Sequence, residues 1–116
     1  MQTLLNISNH PSEKWTEEQK KGWDKIIDIP FPNVDPSLTM TEVREKIAND
    51  LIKKIEKIEK NEVNEMSVYL AGDFSLCFMI YNEFSGSSIF VFPSTKRVVE
   101  VINGQKISSF KFVRWR

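Results

Sequence analysis

Apolar positions along this chain change period several times, and each change marks an element. Residues 3–8 (Thr-Leu-Leu-Asn-Ile-Ser) are a short, mostly apolar run that predicts a strand. Asn9-His10-Pro11-Ser12 is turn chemistry, because a residue before proline avoids the helical region. Thr16-Glu17-Glu18-Gln19 matches a capping box, so a first helix should begin near residue 13 or 17 and end by about Trp23, close to Gly22. Residues 26–30 (Ile-Ile-Asp-Ile-Pro) predict a second strand running into the proline-rich loop of Phe31, Pro32 and Pro36.

The second helix has the clearest signature. Thr39-Met40-Thr41-Glu42 is another capping box, and Val43, Ile47, Leu51, Ile55 and Ile58 follow as one apolar stripe. Lys53, Lys54, Glu56, Lys57, Glu59 and Lys60 fall on the other side and predict a solvated face. Residues 66–71 predict a third strand, and Gly72-Asp73 a tight turn with Asp73 as N-cap of a helix over 74–84. That helix is apolar nearly all round, which predicts burial on more than one side or an interface. Residues 89–92 predict a fourth strand, ending in the cluster Ser94-Thr95-Lys96-Arg97. A hairpin follows, with arms over 98–102 and 107–115 joined at Asn103-Gly104. Its second arm alternates Phe110, Lys111, Phe112, Val113, Arg114 and Trp115, ordinary patterning for a half-buried strand.

Strands alternating with helices predict a mostly parallel sheet with right-handed crossovers. The expected fold is a Rossmann-like, three-layer α/β sandwich closed by a C-terminal antiparallel β-hairpin, one domain over residues 1–116.

Composition narrows the functional classes. With 16 Lys+Arg against 16 Asp+Glu the chain is neutral, which argues against a duplex DNA binder or a membrane-surface protein but allows a local basic site. One cysteine and one histidine cannot build a Cys/His zinc site, and Cys77 in an apolar run reads as a small buried hydrophobe. Neither a signal peptide nor a membrane span is visible, so the expected location is the cytoplasm. No glycine-rich dinucleotide or phosphate loop occurs, which disfavours NAD and ATP chemistry.

In open α/β sheets ligands bind beyond the carboxyl ends of the strands. Four segments should converge there: Ser8-Asn9-His10, residues 31–35, Gly72-Asp73-Phe74-Ser75 and Ser94 to Arg97. His10 is either a turn residue or a proton carrier near neutral pH. The amides of 72–75 could hold an anion, while Asp73 suits a ribose hydroxyl or a plain N-cap. Lys96 and Arg97 could stabilise phosphate charge with Ser94 and Thr95 as neutral donors, or the four could be a solvated strand end.

Taken together, the opening Leu4-Leu5-Asn6-Ile7-Ser8-Asn9-His10, the Gly72-Asp73-Phe74 turn, Ser94 to Glu100 and Phe110 to Arg116 resemble the small stand-alone CRISPR-associated proteins of the ring-nuclease type, which are similar to CARF domains. The resemblance implies a homodimer that binds a cyclic oligoadenylate, most simply cyclic tetra-adenylate. It further implies metal-independent, cofactor-free cleavage, in which a ribose 2′-hydroxyl attacks the adjacent phosphate and type III CRISPR signalling is switched off. On that likeness Lys96, Arg97 and His10 would serve catalysis. Ser8, Asn9, Gly72, Asp73, Phe74, Ser75, Ser94 and Thr95 would bind the ligand. The basic cluster is narrow, being followed by Val98-Val99-Glu100, which bears more on cleavage than on binding. Two other classes stay open: a module that binds or sequesters the messenger without cutting it, and a general interaction protein.

Overall fold

β1 (Gln2–Ser8) is the middle of the molecule: from Thr3 onward every residue is buried, because strands flank it on both edges and side chains cover both faces. The computed structural model describes residues 2–116, so of the domain expected over 1–116 only Met1 lies outside the described residues. β2 (Lys25–Pro30) and β3 (Glu65–Leu70) pair with β1 in parallel, and β4 (Ile89–Phe90) pairs with β3, giving the order β2-β1-β3-β4.

That order sets the layers. The connection from β1 to β2 runs one way along the sheet, and the next two run the other way. With right-handed crossovers, the later helices must share one face and the first must lie on the opposite one. They do. α2 (Met40–Val43) and α3 (Asn49–Asn61), joined by a π-helical turn over Arg44–Ala48, pack with α4 (Phe74–Phe84) on the face formed by Leu5, Ile7, Ile29, Val68 and Leu70. The opposite face carries Leu4 and Tyr69 under Trp15, with Trp23, Ile26 and Trp115 around them. A 3-10 turn (Ser12–Lys14) and α1 (Glu17–Lys20), each a single turn, stand for a helix there, so the expected third layer is thin and largely aromatic.

Both capping boxes form. Thr16 accepts from the Gln19 amide at 3.4 Å and the Gln19 side chain accepts from the Thr16 amide at 2.9 Å; for Thr39 and Glu42 both distances are 3.2 Å. Helix α1 nevertheless stops three residues before Trp23. Gly22 turns into the left-handed region at φ +90°, and the Asp24 amide bonds to the Gln2 carbonyl at 2.9 Å, drawing the chain into β2. The apolar stripe of the long helix is spaced at four residues, which drifts by about 40° per step in a regular α-helix. The wide turn at 44–48 takes up part of that drift, and Val43, Leu51 and Ile55 all end buried.

The C-terminal region departs from expectation. β4 contains two residues rather than four, and the Val91 amide makes its last bond to the sheet, at 2.9 Å to the Val68 carbonyl. Phe92 then pairs with Arg116 through two backbone bonds of 2.7 and 2.8 Å. β5 (Pro93–Ile102) and β6 (Gln105–Trp115) follow as a long antiparallel ribbon around Asn103 (φ 52°) and Gly104 (φ 77°). Ser94-Thr95-Lys96-Arg97 is therefore not the carboxyl end of a parallel strand but the first half of a ribbon arm. The reason is register: a second arm reaching Trp115 from a two-residue turn needs a partner of nearly equal length, which reaches back to Pro93.

The ribbon is rooted by Trp115, whose ring lies 5.4 Å from both Trp15 and Tyr69 and whose indole N–H donates to the Gln19 carbonyl at 2.8 Å. From Val99 to Lys111 every residue is exposed. Among the described residues, no helix is long and apolar enough to cross a membrane.

Candidate functional site

The strand order reverses between β1 and β3, and in an open parallel sheet this is where the loops part and leave a crevice. Register places Ser8 beside Pro30 and Ile7 beside Leu70, so the loops after β1, β2 and β3 start at one level.

The loop after β1 is occupied by its own hydrogen bonds. Asn6, buried, donates through Nδ2 to the His10 carbonyl at 2.9 Å and to Asp28 Oδ1 at 3.0 Å. The Ser8 hydroxyl, also buried, donates to Asn6 Oδ1 at 2.7 Å and accepts from the His10 amide at 3.1 Å. The Trp15 indole adds a third bond to the same turn, at 3.0 Å to the His10 carbonyl. Ser8 is thus spent on shaping the turn, a use that competes with the ligand contact expected of it. Asn9 and the His10 ring stand exposed beyond it.

The loop after β3 is different. Gly72 lies against the ring of the buried Phe31, so close that any Cβ there would collide with it. Asp73 caps α4, accepting from the Leu76 amide at 3.1 Å and from the Ser75 hydroxyl. The Ser75 hydrogen bond first, then that of the Leu76 amide, holds the Asp73 carboxyl below its ordinary value. Asp73 is therefore an N-cap in this structure.

Beside this turn opens a groove of about 880 Å³. It is lined by the end of β3 and Gly72, by Phe74, Ser75, Phe78 and Tyr81 of α4, by Phe92 and Pro93, and by Met40. Cys77 lines it too, its thiol pushed up first by burial and then by the Asp73 charge. Burial likewise raises the Tyr69 hydroxyl. Phe74 is 90% exposed, a large aromatic with nothing over it.

Of the residues singled out from the sequence, Gly72, Phe74 and Ser75 line this groove, while Asp73, the cap of α4, does not. Asn9, His10, Thr95, Lys96 and Arg97 do not line it, nor does Ser94. On the ribbon Ser94 donates to the Arg114 carbonyl at 3.1 Å, and Arg97 Nε donates to Ser108 Oγ at 2.8 Å. Lys96 faces Lys111 directly across the ribbon, two like charges with no carboxylate partner among the described residues. No group of three or more acidic, histidine or cysteine side chains able to hold a metal occurs among the described residues.

A family model aligns with residues 2–116, practically the whole chain. The chain belongs to the Uncharacterized protein MJ1673 family. No curated protein and no solved structure matches it.

For this member of the MJ1673 family, nine of the twelve groove residues are not among those expected at the site, Met40, Phe78, Tyr81 and Phe92 among them. A signal for two of them existed. Phe78 and Tyr81 follow Phe74 at four and seven residues, the spacing of one helix face, in a helix too apolar for a single buried stripe. Phe92 and Met40 are brought in only by tertiary folding.

Proposed function

We propose that this protein binds a cyclic oligoadenylate as a homodimer, its Rossmann-like, CARF-like sheet presenting the groove beside Gly72–Ser75 to the ligand. The observation that carries this is the groove's composition at the reversal of strand order: exposed Phe74, Phe78 and Tyr81 beside the amino end of α4. Aromatic faces stack on any base, and backbone amides at a helix start can donate to phosphate oxygens. Lys96 and Arg97 lie roughly 10 Å or more along the ribbon from Pro93, so they meet the ligand's phosphates only beyond the groove lining. In the full form of this reading they stabilise the charge that develops as a 2′-hydroxyl attacks its neighbouring phosphate, with His10 assisting proton transfer.

A second reading, capture without cleavage, is favoured by one observation: none of the residues lining the groove is a cation or a histidine. Incubation with cyclic tetra-adenylate separates the two. Linear products ending in cyclic phosphate, formed equally well in EDTA, support cleavage; tight binding with the ring recovered intact supports capture. Absence of binding at micromolar concentration removes both.

A further inference from the structure

The protein carries more surface than a compact chain should. Its accessible area is 8029 Å², about 1,500 Å² above the roughly 6,500 Å² expected for a compact monomer of this size. Its radius of gyration is 16.4 Å where about 13 Å is expected. The excess belongs to the ribbon, which is bare on both faces from Val99 to Lys111 and exposes Val99, Val101, Ile107 and Phe110. A lone two-stranded ribbon is marginal in water, and one this apolar calls for a cover.

The same chain has a surface that fits it. Val99, Val101 and Phe110 share one face of the ribbon, with Arg97 beside Phe110 and Lys106 beside Val101. On α4, Phe74, Phe78 and Tyr81 lie at four and seven residues on one exposed face, with Asp73 before the first and Glu83 after the last. Each apolar strip is about 10–13 Å long, and each is framed by charges of the sign the other lacks. The imbalance extends to the whole chain: residues 93–116 carry six cations against Glu100 alone, a charge of +5, so residues 1–92 carry −5 in a chain of net zero. Two ribbons would repel one another, whereas a ribbon and a body attract.

We propose that the β5–β6 ribbon of one copy docks over the aromatic face of α4 in a second copy, and that the exchange is mutual. The surplus surface matches one subunit's share of a sizeable dimer interface. The docked ribbon covers the same three aromatic side chains that would stack on bases, so ligand and ribbon should compete for them. That last consequence rests on the nucleotide reading, while the docking itself rests on apolar surface and charge alone.

Sedimentation of the full chain without nucleotide tests it. The wild type should be dimeric at tens of micromolar. Phe110→Asp and Phe78→Asp should each weaken association roughly 30-fold or more, as loss of a central aromatic anchor does. Both side chains are exposed, so each variant should keep the wild-type circular dichroism, and that is checked first. Mixing the two variants should restore a dimer, because one intact ribbon then meets one intact α4 face. A monomeric wild type overturns the proposal, as does a Phe78→Asp variant that dimerises normally, which would mean ribbon pairing with ribbon. A monomer whose Phe110→Asp change instead abolishes binding of single-stranded RNA would also overturn it. Failure of cyclic oligoadenylate binding leaves all these outcomes readable.

Discussion

Gly72 sits against the ring of Phe31 with no room for a side chain between them. Its φ is not in the left-handed region, so the requirement for glycine there is one of contact rather than backbone conformation. Gly72→Ala should force the ring aside and destabilise the fold by about 1–3 kcal/mol, the usual cost of overpacking. A urea titration gives the magnitude, and an unchanged midpoint would show that Phe31 moves freely.

Asp73 holds the start of α4, and Asp73→Ala should cost about 1 kcal/mol as a lost N-cap. The sign with pH follows from the lowered carboxyl. A depressed acid stabilises the fold above its unfolded value of about 3.9 and loses that contribution as pH falls through the lower folded value. Thermal melts between pH 7 and 3 should therefore show part of the acid-side loss disappear in Asp73→Asn, which keeps the cap without the charge.

The root of the ribbon is a separable element. Trp115→Ala removes contacts with Trp15, Trp23, Tyr69 and Phe112 and the bond to Gln19, a loss of about 2–4 kcal/mol. Hydrogen exchange should rise through residues 93–115 well before it rises in β1. Uniform loss of protection would instead make the ribbon part of the global folding unit.

The raised Cys77 thiol should make alkylation at neutral pH slower than for a free cysteine, and anything seated in the groove should slow it further. Iodoacetamide labelling with and without cyclic tetra-adenylate reads both effects in one series.

If the ribbon cations act on the ligand, Lys96→Ala or Arg97→Ala should reduce turnover roughly tenfold or more. Equal rates in both variants would take that pair out of the mechanism.

Elements whose signals are local were legible in the chain. The two capping boxes, the Asn103-Gly104 turn and the alternation of strands with helices need only neighbouring residues, and the parallel sheet with its hairpin follows from them. Ser94 to Arg97 has the pattern of a strand end because polar residues close an apolar run, whereas pairing length is dictated by the opposite arm. Ser8 shows what neighbouring residues add to such a signal. A hydroxyl at a strand end looks available for a ligand, yet Asn6 and His10, close in sequence, had already engaged it. The groove was half legible: its turn was visible, but Met40 and Phe92 arrive from 32 residues before Gly72 and 20 after it.

The π-helical turn at Arg44–Ala48 can be described as one residue too many for a regular helix. Deleting one residue within it would let α2 and α3 run on as one α-helix with the parts on either side still in phase. Forcing a regular turn there without the deletion would instead rotate everything upstream by about 100° around the axis, carrying Met40 and the Thr39 cap away from the groove. The reach of this helix into the groove therefore depends on the bulge absorbing its extra residue locally, in a stretch that contributes no side chain to the groove lining.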